Sequence, residues 1–156
     1  MGQDMKIFIG ADHRGFAIKQ KVVRLLNGLN HEVIDVGTKS ADVPCDYPKV
    51  GYQVAAHVAK NRNSRGILVC MSGIGLSIAA NKVRGVYAAL CYNKEAAVLS
   101  RQHNNANVLV LGAKFVPEKD MSDIIKIWLT ENFEGGRHLR RVNQIKAIER
   151  EYFKKK

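Results

Sequence analysis

The stretch GILVCMSGIGLS, residues 66–77, predicts a buried strand that ends in a loop of small residues. Residues 67–70 are consecutively apolar, which is typical of a strand in a parallel sheet. Two glycines and a serine then precede a helical pattern that begins near Leu76. Small residues let backbone N–H groups face a cavity, and a helix N-terminus adds about half a positive charge. We therefore expect an anion here, either a bound phosphate or an oxyanion formed during a reaction.

Cys70 ends this apolar run, so its thiol lies at the tip of the predicted strand. The positive field of the loop predicts a pKa below the value of about 8.5 for a free thiol. Simple packing is the commoner role of a buried cysteine, and the stretch alone favours packing. Cys45 and Cys91 are the other two cysteines. An odd count without a C-x-x-C pair argues against a disulfide framework and against a zinc site.

Strand and helix patterns alternate outward from this stretch. Strand patterns lie at residues 6–10, 32–37, 67–71, 86–90 and 108–111, with helical patterns between and after them. This alternation predicts an α/β fold, a doubly wound parallel sheet of about five strands with helices on both faces. A C-terminal helix carries one apolar stripe, Ile145, Ile148 and Tyr152. Without a linker or repeat, residues 1–156 are predicted to form a single domain, in which residues 1–4 are an extension.

Composition limits the class of protein. The chain has 156 residues, 46% hydrophobic and 25% charged, which suits one domain with a substantial core. No apolar run approaches the roughly 20 residues of a membrane span. The N-terminal sequence does not have the pattern of a signal peptide. We therefore expect a cytoplasmic protein without a membrane partner.

The net charge of +11 is concentrated in residues 137–156, which hold eight Lys or Arg and two Glu. Three interpretations of this charge remain open. The segment is a surface that binds nucleic acid, a charged C-terminus that only increases solubility, or a site where Arg137, Arg140 and Arg141 bind a small anion. No helix-turn-helix, RNP-like or zinc-finger pattern accompanies the charge, so we expect no nucleic-acid partner. Residues 154–156 are expected to be a disordered tail.

Ligands of open parallel sheets bind beyond the carboxyl ends of the strands. The loops after the first three predicted strands carry the reactive side chains, namely Asp12, His13, Tyr47, Cys70 and Ser72. Known phosphate-loop fingerprints fail there: Asp12 replaces the second glycine of G-x-G-x-x-G, and Leu76 stands where a cysteine phosphatase needs arginine. No redox or nucleotide motif remains.

Five segments together resemble the family of type B ribose-5-phosphate isomerases and galactose-6-phosphate isomerase subunits. They are IGADHRGFAIK (9–19), DYP (46–48), ILVCMSGIGLSIAANKVRGVYAAL (67–90), LSRQHNNANVLVLGA (99–113) and FEGGRHLRRV (133–142). The resemblance implies a Rossmann-like fold, no metal or organic cofactor, and interconversion of D-ribose 5-phosphate and D-ribulose 5-phosphate. It also implies a homodimer or dimer of dimers with shared active sites.

The resemblance also implies roles for individual residues. Three are catalytic: Cys70 is the base that moves the proton between C2 and C1, while Ser72 and His103 open the furanose ring. Ten bind substrate. The enediolate is stabilised by Met71, Gly73, Ile74, Gly75 and Asn104; the phosphate is held by His13, Arg137 and Arg141; the sugar is contacted by Asp12 and Tyr47. The basic segment 137–156 would thus serve both phosphate binding and dimer contacts.

One departure keeps alternatives open. The family usually has Cys-Gly-Thr-Gly where this chain has Cys70-Met71-Ser72-Gly73. Serine keeps the hydroxyl, whereas Met71 adds bulk. An isomerase of hexose 6-phosphates of the allose or galactose type is therefore one alternative, and a non-catalytic sugar-phosphate sensor is another. The motifs SRQHN and EGGRH favour the ribose enzyme, because the galactose subunits typically lack that histidine.

Overall fold

The computed structural model describes residues 4–153, which contain one five-stranded parallel sheet. The strand order is β2-β1-β3-β5-β4. The strands are β1 (Lys6–Ala11), β2 (Glu32–Asp35), β3 (Arg65–Cys70), β4 (Ala88–Leu90) and β5 (Val108–Gly112). The predicted doubly wound α/β fold is confirmed.

Six α-helices and one short 3₁₀ helix (His13–Gly15) connect or follow the strands in the described range. The α-helices are α1 (Phe16–Gly28), α2 (Tyr47–Lys60), α3 (Ile74–Ala80), α4 (Lys94–Gln102), α5 (Glu118–Thr130) and α6 (Gly136–Phe153). Only strand and helix ends differ from the prediction. The second strand was expected to reach Gly37, but it ends at Asp35 because the Asp35 carboxylate accepts the Gly37 N–H at 3.0 Å and turns the chain.

Apolar side chains of β3 alternate between two cores, one on each face of the sheet. Ile67 and Val69 face the core formed with α1, α4 and α5, which includes the fully buried Trp128. Leu68 and Cys70 face the core formed with α2 and α3. Because both faces of β3 are covered, its sequence is a continuous apolar run rather than an alternating pattern.

The C-terminal helix α6 packs on its own chain through few side chains. Val142 is buried, and the Glu149 carboxylate accepts the Gly85 N–H at 2.6 Å. The predicted stripe of Ile145, Ile148 and Tyr152 remains 44, 58 and 77% exposed. The chain by itself therefore leaves this apolar surface uncovered.

Two terminal predictions fall largely outside the described residues. The expected extension at residues 1–4 is described only at Asp4, and the expected tail at residues 154–156 is not described. Among the described helices, none combines the length and the apolar character that crossing a membrane requires.

A partly buried ion pair joins α1 to the last residue of β2. Lys19 is fully buried, and its Nζ lies 2.9 and 2.7 Å from the two carboxylate oxygens of Asp35. The same ammonium donates to the Thr38 carbonyl at 2.5 Å. The pair thus fixes the start of the loop that leads to Tyr47, the first residue of α2.

Replacing Lys19 by methionine should lower the free energy of unfolding by about 3 kcal/mol, because the Asp35 carboxylate would lose its buried partner. Chemical denaturation measures this change. Lys21→Met is the matched control, since the Lys21–Glu118 pair is half exposed and should contribute less than about 1 kcal/mol. Equal losses in the two variants would show that burial of the Lys19 pair has no special effect.

Candidate active site

The loop after β3 curls around the Cys70 thiol. The Gly73 N–H donates to the Cys70 Sγ at 3.1 Å, and the Ile74 N–H donates to the Ser72 Oγ at 3.3 Å. Gly73 has a φ of +81°, in the left-handed region that favours glycine, and a Cβ there would lie 2.5 Å from Leu90 Cδ1. The small residues of the loop therefore allow backbone amides to approach the thiol and the hydroxyl.

Neighbouring backbone groups hold this loop from the β5 side. The carbonyls of Cys70 and Met71 accept the N–H groups of Ala113 and Lys114 at 2.8 and 2.9 Å. The Ser72 carbonyl accepts the Tyr92 hydroxyl at 3.2 Å. Three successive carbonyls are thus engaged beside the end of β5, which fixes the loop while its amides face the thiol.

Burial raises the pKa of the Cys70 thiol, and this is the largest influence on it. The Gly73 and Ser72 N–H groups and the Arg14 charge act in the opposite direction, whereas the Asp12 carboxylate raises the pKa further. The prediction of a lowered pKa is therefore wrong for the single chain. The amide field exists as expected, but the loss of hydration around a buried thiolate outweighs it.

Asp12 and His13 follow β1 and lie beside the same loop. The Asp12 side chain is buried, and its Oδ1 accepts the Gly15 N–H at 2.9 Å, so one carboxylate oxygen stabilises the 3₁₀ turn. A Cβ on Gly15 would lie 2.4 Å from the Val69 carbonyl oxygen. This contact requires glycine, and it brings the turn against the residue that precedes Cys70.

The Cys45 N–H donates to the His13 Nδ1 at 3.2 Å. An Nδ1 that accepts a hydrogen bond leaves the proton of a neutral imidazole on Nε2. His13 therefore offers an Nε2–H donor, which suits a phosphate oxygen. The Cys45 thiol takes no part in this contact, but the Cys45 backbone orients His13. Sequence reasoning missed this contact because backbone hydrogen bonds leave no residue signature.

The Tyr47 ring lies directly over Gly75. A Cβ on Gly75 would be 2.4 Å from a ring carbon and 2.9 Å from the hydroxyl oxygen of Tyr47. The N-terminal ends of α2 and α3 therefore meet at this point. We call the assembly at the carboxyl ends of β1 and β3 the thiol cluster; it consists of Asp12, His13, Tyr47, Cys70, Met71, Ser72, Gly73, Ile74 and Gly75.

A second group of residues, four of which were predicted from sequence, gathers where α4 ends and α6 begins. The His103 and His138 rings stack at a centroid distance of 4.0 Å and an angle of 7°. The His138 Nε2 lies 3.4 Å from a Glu134 carboxylate oxygen and accepts the Arg137 Nε–H, also at 3.4 Å. We call this group the imidazole cluster; it consists of His103, Asn104, Glu134, Arg137, His138 and Arg141.

Burial, His103 and Arg137 all lower the pKa of His138, which favours the neutral ring. One ligand atom each from His103, Glu134 and His138 lies within 4.8 Å of the others. Stacked rings direct their in-plane lone pairs side by side rather than at one point, and the Arg137 guanidinium lies next to the His138 Nε2. The arrangement therefore does not favour a metal ion.

The thiol and imidazole clusters occupy opposite ends of the sheet. Helix α4 starts beyond the carboxyl end of β4 and runs back, so His103 and Asn104 follow it at the amino end of the strands. Asn107, three residues later, pairs with Gly66 near the start of β3. The six residues of β3 rise about 3.3 Å each, which separates its two ends by roughly 16 Å. One chain therefore does not bring Cys70 together with His103 and Asn104.

Comparison with known proteins gives a consistent result. The family model for Ribose/Galactose Isomerase matches residues 7–145. Ribose-5-phosphate isomerase B of Escherichia coli is 46% identical over 144 residues, covering 92% of this chain and 96% of that protein. The probable ribose-5-phosphate isomerase B of Mycoplasma genitalium is 43% identical, with coverages of 93% and 96%.

Solved structures agree with these relatives. Ribose-5-phosphate isomerase B of Clostridium thermocellum superposes with a TM-score of 0.91 at 45% identity, covering 95% of this chain and 99% of that one. The Mycoplasma genitalium structure with bound ribulose-5-phosphate gives a TM-score of 0.91 at 42% identity, with coverages of 94% and 97%.

Proposed function

The chain belongs to the ribose/galactose isomerase family, and we propose that it interconverts D-ribose 5-phosphate and D-ribulose 5-phosphate. The observation that carries the proposal is the Cys70 thiol at the tip of β3, which accepts a backbone N–H and lies beside Asp12. A base at a strand tip next to a row of amides suits a reaction that moves a proton and passes through an anion.

The thiol cluster supports an enediolate mechanism. After the ring opens, the Cys70 thiolate removes the C2 proton, and the electron pair of that bond forms the C1–C2 double bond while charge develops on O1. The backbone of residues 71–75 stabilises this charge. The C2 hydroxyl then loses its proton, O1 gains one, and the Cys70 thiol returns its proton to C1. Atoms and charge balance without a metal or organic cofactor.

The phosphate group has a separate set of proposed ligands. His13 donates from Nε2, and Arg137 and Arg141 lie four residues apart on α6 with exposed guanidinium groups. Residues four apart on a helix share a face, so both arginines can hold the same anion. Binding at the phosphate, remote from the reacting carbons, orients the sugar over Cys70.

Two chains complete one active site in this proposal. Because the thiol and imidazole clusters lie at opposite ends of one sheet, His103, Asn104 and the α6 arginines of one subunit would meet Cys70 of another. A second subunit would also cover the exposed stripe of Ile145 and Ile148 on α6. We therefore propose a homodimer or dimer of dimers with shared active sites. We also propose that the protein is cytoplasmic and that its small-molecule partner is a phosphorylated sugar.

Replacing Arg137 or Arg141 by alanine should raise KM about 10- to 100-fold, because a hydrogen bond to a charged group contributes about 1.5–3 kcal/mol. The value of kcat should change little, since the phosphate is bound equally in ground and transition states. Initial-rate kinetics measure both constants, and Arg140→Ala is the matched control. A fall in kcat at unchanged KM would assign these arginines to the chemical step instead.

Met71 favours one second candidate, a hexose 6-phosphate isomerase. Its backbone is fixed by Lys114, and its half-buried side chain stands where the family usually has glycine. A coupled assay with ribose 5-phosphate and with allose and galactose 6-phosphates tests the proposal. We expect the highest kcat/KM for ribose 5-phosphate. A higher value for a hexose would favour the second candidate, and turnover of none would favour a sugar-phosphate sensor.

A further inference from the structure

A cavity of about 740 Å³ opens at the amino end of the sheet, the end that also carries the imidazole cluster, and its lining includes no residue of the imidazole or thiol cluster. It lies between the end of α2, the starts of β3 and β4, the end of α4 and one side of α6. Six cationic side chains line it: Arg62, Arg65, Arg84, Arg101, Lys146 and Arg150. Glu149 is the one carboxylate among the lining residues. We call this site the arginine cavity.

The buried Arg101 and the half-buried Arg65 line the arginine cavity, and neither pairs with a carboxylate among residues 4–153. Arg65 Nη1 donates to the carbonyls of Trp128 and Leu129, both at 2.8 Å. Arg101 Nη1 donates to the Ala106 carbonyl at 2.6 Å, and its Nε donates to a further backbone carbonyl. Both guanidinium groups also lie near the Trp128 ring, at 5.1 and 5.8 Å from its centroid. These neutral partners fix the two charges in place without compensating them.

The one carboxylate, Glu149, offsets at most one of the six positive charges and is paired with none of them. The Glu149 oxygens accept the Gly85 N–H at 2.6 Å and the Tyr87 hydroxyl at 3.2 Å, so neutral donors occupy both. Among residues 4–153, the ion pairs include none of the six cations. Burial and the neighbouring Arg101 charge lower the pKa of Arg65 to about 10. The cavity therefore holds an excess of positive charge, and its cationic side chains repel one another.

We propose that the arginine cavity binds a small oligophosphate anion, such as the triphosphate group of a nucleotide, at a site that shares no lining residue with the thiol and imidazole clusters. A volume of about 740 Å³ lies within the roughly 300–1,000 Å³ typical of small-molecule sites. Guanidinium groups bind phosphate oxygens through paired, charge-assisted hydrogen bonds. Several phosphates on one ligand match the excess of positive charge better than the single phosphate of a sugar.

A single-stranded nucleic acid fits the arginine cavity less well. Such ligands depend on aromatic rings on which successive bases stack. Tyr87 is the one aromatic side chain among the lining residues, and its hydroxyl is bound to Glu149. The lining therefore offers charge for phosphates without a platform for bases.

Isothermal titration of the assembled enzyme with inorganic tripolyphosphate tests the proposal. The double variant Arg62→Gln/Arg84→Gln removes two exposed cations of the rim and should weaken the tripolyphosphate Kd at least tenfold. Lys119→Gln/Lys126→Gln on α5 is the matched control, because it removes the same charge from an exposed surface outside the cavity. Its Kd should equal that of the wild type, and the KM for ribose 5-phosphate should be unchanged in both variants.

Five results would overturn the proposal. The first is that tripolyphosphate does not bind, and the second is that its binding weakens equally in the two double variants. Binding lost in Arg137→Gln/Arg141→Gln but kept in Arg62→Gln/Arg84→Gln would place the anion in the isomerase site. A changed oligomeric state of Arg62→Gln/Arg84→Gln, measured by light scattering, would make the cavity a subunit interface. An RNA oligonucleotide that binds more tightly than tripolyphosphate and displaces it would assign the cavity to nucleic acid.

Discussion

Replacing Cys70 by alanine should lower kcat for ribose 5-phosphate isomerisation by about 10²- to 10⁴-fold, the usual contribution of a proton-transfer base. The backbone amides of residues 71–75 and the phosphate ligands remain in this variant, so the Kd for the phosphosugar should stay near the wild-type value. Coupled kinetics and titration calorimetry measure the two quantities. Cys45→Ala is the matched control, because the Cys45 thiol donates only to the Asp46 carbonyl, at 3.8 Å. Near-normal kcat in Cys70→Ala would mean that another residue is the base.

The pH profile separates a base from a thiol that only packs. Burial raises the Cys70 pKa, so thiolate is the minor form at neutral pH and its fraction grows as pH rises. Below the pKa, kcat/KM should therefore rise up to tenfold per pH unit, and inactivation by iodoacetamide should rise in parallel. Bound phosphosugar should slow the alkylation. A kcat/KM that is flat across neutral and alkaline pH would contradict the role of Cys70 as base.

The sheet was predictable from sequence because β1, β3 and β5 are short apolar runs that end in glycine or a small polar loop. The alternation with helices then fixes which ends of the strands face the same side, so Asp12, Tyr47 and Cys70 were expected together. The direction of the Cys70 pKa shift was not predictable in the same way. It depends on how strongly burial opposes the amide dipoles, and a one-dimensional pattern does not give the degree of burial.

The imidazole cluster shows a different limit of prediction from sequence. His103 was identified by resemblance, but its stack with His138 and the contact of His138 with Glu134 depend on how α6 meets the end of α4. These two segments lie about 30 residues apart in the chain. Hydrophobic periodicity predicts single helices and strands, but it does not predict which of them touch. The arginine cavity is an extreme case, since its six cations come from four separate segments of the chain.

Mixing two inactive variants should restore activity if the site is shared between subunits. Cys70→Ala damages the thiol cluster, and His103→Ala damages the imidazole cluster, so each homodimer carries one lesion in every site. In a mixed dimer, one site receives both lesions and the other receives none. With random pairing of equal amounts, half of the dimers are mixed and each has one intact site of two, so activity should return to about a quarter of wild type.

The control for this experiment uses two lesions from the same cluster. Ser72 lies two residues after Cys70 on one loop, so a mixture of Cys70→Ala with Ser72→Ala gives every site a damaged thiol cluster and should not recover activity. Native mass spectrometry verifies that both mixtures contain heterodimers. Recovery in the first mixture alone requires Cys70 and His103 to act across subunits, as their positions at opposite ends of one sheet indicate. Verified heterodimers without recovery would place His103 in the site of its own chain, and helix α4 would then have to end elsewhere than beside the amino ends of the strands.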